Sequence, residues 1–170
     1  MSKTVSVQRV TGIAASDPDG ISQRKSRVIE EDKTMAVVEE LIRSEAEDSI
    51  SFGNHTLKEK AKKEDFEFAG DLYKVKTFGT MTKLEKNGMF LYESVPGTSV
   101  TNFREDSEGV SFEVEGDGDA QLTLGLAEDT EYQVSIGGTD AGKMKTNLGG
   151  KLSLSVELSA GAEVAVSVRK

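Results

Sequence analysis

TMTKLEKNGMFLYESVPGT, residues 80–98, decides the fold: two strand-like runs flank Asn87-Gly88, and the second stops at Pro96-Gly97. Asn-Gly supplies the two positive-φ positions of a type I′ turn, whose twist matches that of paired strands. A two-residue loop then sets the register, with Lys86 opposite Met89, Glu85 opposite Phe90, Leu84 opposite Leu91 and Lys83 opposite Tyr92. On that register one face carries Leu84, Met89 and Leu91, and the other carries Met81, Phe90 and Tyr92 beside Lys83 and Glu85. A hairpin with apolar side chains on both faces belongs inside a larger β assembly. The face bearing Met81, Lys83, Phe90 and Tyr92 is the expected contact surface for a protein partner or a second copy.

Downstream the pattern is that of an antiparallel meander. Val110/Phe112/Val114, Leu122/Leu124/Leu126, Tyr132/Val134/Ile136, Leu152/Leu154/Val156/Leu158 and Val164/Val166/Val168 alternate with polar or small residues, which gives each strand one apolar face. Short strands with closely spaced turns predict a mainly β chain, a sandwich or meander whose two layers stack about 10 Å apart. A soft boundary near Pro96 divides an N-terminal β subdomain, residues 35–98, from a C-terminal one, residues 99–170.

Upstream of the hairpin, residues 35–43 read either as a helix with Met35, Val38, Leu41 and Ile42 on one stripe or, the favoured reading, as a strand that continues through a polar turn at 44–48 into Ile50/Phe52 as a further hairpin. Thr56-x-x-Glu59 offers a capping box for one short helix running to about residue 63, with Lys58, Lys60, Lys62 and Lys63 in water. Residues 1–34 are polar, with a cluster of turn formers at 16–20, and carry too little apolar surface to offset the entropy of ordering. They are expected to form a disordered arm. Met35 is an alternative start, because codons for Glu30-Glu31-Asp32 can form a purine run resembling a ribosome-binding sequence.

The chain has 170 residues, no Cys and a net charge of −9, so neither disulfides nor thiolate chemistry enters. Residues 1–34 are slightly basic and the body from residue 35 is acidic, the wrong sign for binding phosphate backbones, which argues against nucleic acid as a partner. No apolar run resembles a signal peptide or a membrane span, and cytoplasmic residence is expected.

Candidate chemistry is sparse. Residues 137–143, GGTDAGK, match the opening of a phosphate-binding loop. Met144 then replaces the magnesium-binding hydroxyl and a strand replaces the helix, so a glycine-rich hairpin loop is expected there. Asp117, Asp119 and Asp140 sit in turns that a simple meander places at one end; acidic turns of this kind are ordinary surface chemistry that protects edge strands, and no metal site is expected, with calcium on these three as the alternative. Any nucleophilic triad would have to use His55, the single histidine, which reads as a turn residue ahead of the capping box. No cofactor motif is present.

At residues 71–78, DLYKVKTF, 82–103, TKLEKNGMFLYESVPGTSVTNF, and 144–158, MKTNLGGKLSLSVEL, the chain resembles short bacterial proteins of gut anaerobes that carry the label endosialidase. The resemblance covers most of residues 35–170 and implies a sialic-acid-cleaving hydrolase. The carboxylates of such a substrate call for arginine forks, for which residues 35–170 offer Arg43, Arg104 and Arg169. No catalytic motif carries over residue by residue. The residues therefore point to a non-enzymatic interaction or structural protein, and the resemblance to a carbohydrate-directed alternative, either a glycan-binding module or a sialic-acid hydrolase.

Overall fold

A computed structural model describes residues 37–170. The arm expected at residues 1–34 and the start expected at Met35 lie outside the described residues. Thirteen strands follow in order: β1 Ile42–Ala46, β2 Ser49–Phe52, β3 Ala61–Phe68, β4 Asp71–Thr77, β5 Thr82–Lys86, β6 Met89–Val95, β7 Ser99–Asp106, β8 Gly109–Glu115, β9 Ala120–Gly125, β10 Glu131–Ile136, β11 Thr139–Lys145, β12 Lys151–Val156 and β13 Val164–Arg169. They form two antiparallel sheets. One has the order β1-β2-β7-β8-β13-β10-β11 and the other β12-β9-β6-β5-β4-β3. The β-sandwich reading holds.

The core lies between the sheets, and alternation built it. Val110, Phe112 and Val114 of β8, Leu122 and Leu124 of β9, Leu152, Leu154 and Val156 of β12 and Val166 and Val168 of β13 are all buried, while their neighbours face outward or mix exposure. Its centre is aromatic. Phe52 packs edge-on against Tyr92 at 5.2 Å and Phe103 at 5.6 Å between ring centroids, and Phe112 stacks on Phe103 at 5.5 Å. Edge-to-face and offset contacts of this kind add to what area burial contributes.

The Asn87-Gly88 turn forms as expected, with both residues at positive φ. Beyond it the register differs from the two-residue reading. Lys86 faces Met89 and Glu85 faces Phe90, but Leu84 faces Tyr92 and Lys83 faces Glu93, with a bulge between Leu84 and Glu85. The extra residue, Leu91, turns inward together with Tyr92, so both are buried. Tyr92 therefore leaves the outer face it was expected to share with Phe90, and Met89 is 72% exposed rather than part of an inner face.

Two further expectations are corrected. No helix forms at residues 56–63: the Thr56 N–H and hydroxyl both turn back to Asn54 Oδ1, at 3.0 and 2.5 Å, and residues from Ala61 join β3. The hydroxyl that would cap a helix is spent on an Asx turn, a standard competitor of helix initiation. Nor do residues 35–98 and 99–170 make separate layers. β2 pairs with β7 and β6 with β9, so each sheet takes strands from both sides of residue 98.

Candidate functional site

Strand alternation gives the sandwich two unlike ends. Four of the six connections that pass from sheet to sheet lie at the end reached by residues 53–60, 96–98, 116–119 and 157–163. Backbone groups leaving the ladders there need new partners, since a buried N–H or C=O left unpaired is costly. Short hydroxyl side chains supply them. Thr82 Oγ1 donates to the Thr98 carbonyl at 2.8 Å and accepts from the Thr98 N–H at 3.1 Å, and Thr77 Oγ1 accepts from the Asn54 N–H at 2.9 Å. Thr98 Oγ1 lies 2.7 Å from both Tyr92 Oη and Ser94 Oγ. Burial pushes the Tyr92 hydroxyl well above the usual phenol range, and its bonds to Thr98 and Ser94 only partly offset this.

The same crossings assemble a serine, a histidine and an aspartate. Ser99 Oγ is 2.7 Å from His55 Nδ1 and also accepts from the His55 N–H at 3.3 Å, while Asp117 Oδ1 lies 3.5 Å from His55 Nε2. Residue types alone would suggest an acyl-transfer triad. Access rules it out in this form: Ser99 is fully buried and the His55 side chain is 1% exposed, so no substrate carbonyl reaches the hydroxyl. His55 is a latch between the β2–β3 link and the start of β7, where a turn residue was expected.

The acidic turns do not converge. Asp117 faces His55, whereas Asp140 accepts from Gln133 Nε2 and the Gly142 N–H within its own hairpin. Among the described residues no group of three His, Asp or Glu side chains is placed to hold a metal. The calcium candidates Asp117, Asp119 and Asp140 are thus corrected, because Asp140 is committed to the β10–β11 pair.

At the opposite end, where the Asn87-Gly88 turn lies, the sheets part around a cleft of about 470 Å³. Leu91, Leu126 and Tyr132 contribute to its lining from both sheets, with Phe90, Lys86, Glu105, Asp106, Lys151 and Lys170 among the other residues around it. This volume falls in the range of small-ligand sites. Three of its charged residues, Lys86, Glu105 and Asp106, are paired. Lys86 Nζ bonds Glu105 at 2.6 Å, and Arg169 bonds both carboxylate oxygens of Asp106 at 3.1 and 3.0 Å. Burial is the largest single influence on Lys86 and opposes its charge, but the hydrogen bond and charge of Glu105, joined by Tyr73 and Asp71, together raise the ammonium above its ordinary range. The Arg169 bond holds Asp106 below the usual carboxylate range.

Of the face expected to meet a partner, Met81 is half-buried beside β5, Lys83 pairs with Glu85 at 3.5 Å, and Tyr92 is in the core. Phe90 stands at the cleft, where Lys151 Nζ lies 4.9 Å above its ring. Sequence reasoning missed the Ser99-His55-Asp117 contact, whose Ser99 and His55 are 44 residues apart, and the cleft, which is lined by residues of several separate strands and loops. A signal was present in the run Ser94 to Ser99, where hydroxyl residues stand where a strand end would otherwise be apolar. No protein-family model, curated protein or solved structure matches this chain.

Proposed function

We propose that this protein is a non-enzymatic interaction module that takes an apolar group of a protein partner into the cleft beside the Asn87-Gly88 turn. One observation carries the reading. Among the described residues, three of the four exposed large apolar side chains, Leu72 at 47%, Met89 at 72% and Leu148 at 79%, stand at this end. Leu72 is tied to the turn through two bonds with Asn87, Met89 follows the turn directly, and Leu148 adjoins Gly149 of the cleft lining. Apolar side chains gathered around a recess with a polar rim are the usual marks of a protein-docking site.

The carbohydrate-directed alternative draws less support. Lys151 occupies the ring face of Phe90 that a sugar would stack on. All three arginines of the described residues are bonded to carboxylates: Arg43 to Glu40 and Glu45, Arg104 to Asp48 and Arg169 to Asp106.

Panning a displayed peptide library against the full chain tests the proposal. Enriched peptides are expected to carry a bulky apolar anchor, and the double substitution Met89→Lys, Leu148→Lys should weaken their binding roughly ten-fold or more. Release of sialic acid from polysialic acid or a fluorogenic sialoside would overturn it in favour of the hydrolase. Peptide binding indifferent to both substitutions would remove the cleft from the reading.

A further inference from the structure

Two sheets leave four edges, and three of them carry devices that discourage pairing with another chain. β1 is five residues long and bulged between Ser44 and Ala46. β3 is bulged between Lys63 and Phe66 and presents Lys62, Lys63, Glu64 and Asp65. β11 loses register against β10 near Gly142 and carries Asp140, Lys143 and Lys145. Short, bulged and charged edges are how soluble sheets avoid association. β12 has no bulge, and its one charge is at its first residue, Lys151. It pairs with β9 in unbroken register from Lys151 to Val156, and the stretch Leu152–Val156 contains no charge, glycine or proline.

Which backbone groups of β12 are free follows from its one outer bond partner. The Lys151 N–H donates to Asn147 Oδ1 at 3.0 Å, and the Asn147 N–H donates to the Lys151 carbonyl at 3.1 Å. The main-chain groups of Lys151 therefore point away from β9. Because these directions alternate along an antiparallel strand, those of Ser153 and Ser155 point outward too, and the alternation of exposed and buried side chains runs on past the strand through Glu157 and Leu158. Asn147 fills the place beside Lys151. Among the described residues nothing fills the places beside Ser153 and Ser155.

We propose that a second copy of this chain pairs here, β12 against β12, antiparallel about a two-fold axis through Ser155. Asn147 sets that register, because the free stretch it leaves, Ser153 to Glu157, has Ser155 at its centre. Ser155 then faces Ser155 of the second copy, and Ser153 faces its Glu157. Lys151 and Glu157 of the two copies become diagonal neighbours on the outer face, a distance that long side chains span. The ends of the contact are thus complementary in charge. On the inner face Leu154 meets Val156, which extends each core layer across the axis. The opposite charges of Lys151 and Glu157, which the two-fold axis brings together at both ends of the contact, favour a second copy as the occupant. The contact shares Lys151 with the cleft rim, but Ser155, on which the test turns, takes no part in the cleft.

Sedimentation of the full chain tests it. A dimer is expected at about 100 µM, the range in which a modest edge contact is populated. Ser155→Lys and Ser155→Asp each place like charges face to face on the axis and should each raise the dissociation constant roughly ten-fold. An equimolar mixture of the two variants should recover the dimer, which a folding defect would not do. Hydrogen exchange at Ser153 and Ser155 should slow as concentration rises. A monomer at this concentration, a dimer indifferent to both variants, or exchange protection independent of concentration, the mark of the chain's own segment on the edge, would each overturn the proposal.

Discussion

Tyr92 shows how one residue joins the core to the crossing end. Its ring sits among Phe52, Phe103 and Phe112, and its hydroxyl reaches Thr98. Because burial raises its ionisation above the ordinary value near 10, the unfolded chain releases the proton first as pH rises. The stability this residue lends is therefore complete below about pH 10 and is lost above it. Tyr73 is shifted in the same direction by burial and adds to the trend. Tyr92→Phe should cost about 0.5–1.5 kcal/mol at neutral pH, the net worth of a hydrogen bond, and should flatten the alkaline decline, as urea titrations at pH 7 and 10.5 would show. His55 offers a second comparison. His55→Ala leaves a cavity and strands Ser99, for a loss of about 2–4 kcal/mol. Asp117→Asn should change stability by less than about 1 kcal/mol, since Asp117 is 71% exposed. Equal losses would make the Asp117 contact, and not the Ser99 bond, the reason His55 is held.

Glycines serve opposite ends of β6 for different reasons. Gly88 has φ +79 with open space around it, whereas a Cβ on buried Gly97 would stand 1.9 Å from the Phe78 carbonyl oxygen. Gly88→Ala should cost about 1–2 kcal/mol through backbone strain. Gly97→Ala should cost more, at or beyond the roughly 1–3 kcal/mol of an overpacked core, because backbone has to move, and the two urea midpoints compare them directly. The first glycine was legible in the sequence, as half of a turn signature; the second was not, since its constraint comes from a neighbouring loop. Strand existence was legible in the same way. Period-two runs such as Leu152/Leu154/Val156 needed only local chemistry. The Leu91 bulge was not, because an inserted residue keeps the composition of a strand and changes only which side chains turn inward. That single insertion moved Tyr92 from the expected contact face to the core.

At the scale of the whole molecule, the boundary read near Pro96 marks a sheet crossing and not a division between folding units. Residues 99–170 contain only β9 and β12 of the second sheet, so alone they would leave much of the first sheet's apolar face in water. Residues 1–98 have the complementary deficit, since β1 and β2 would lose β7 and the aromatic centre would lose Phe103 and Phe112. A half-sandwich buries too little apolar surface to offset the entropy of ordering its strands. Each fragment should therefore give narrow amide dispersion by NMR. Mixed in equal amounts, the two should recover the dispersed spectrum of the full chain to the extent that the rest of the network can bring Thr98 and Ser99 back together across the cut. A folded 99–170 fragment would restore the two-subdomain reading. Unfolded halves that complement one another would place the stability of this chain in the pairing of distant strands, the feature that a local reading of sequence is least able to see.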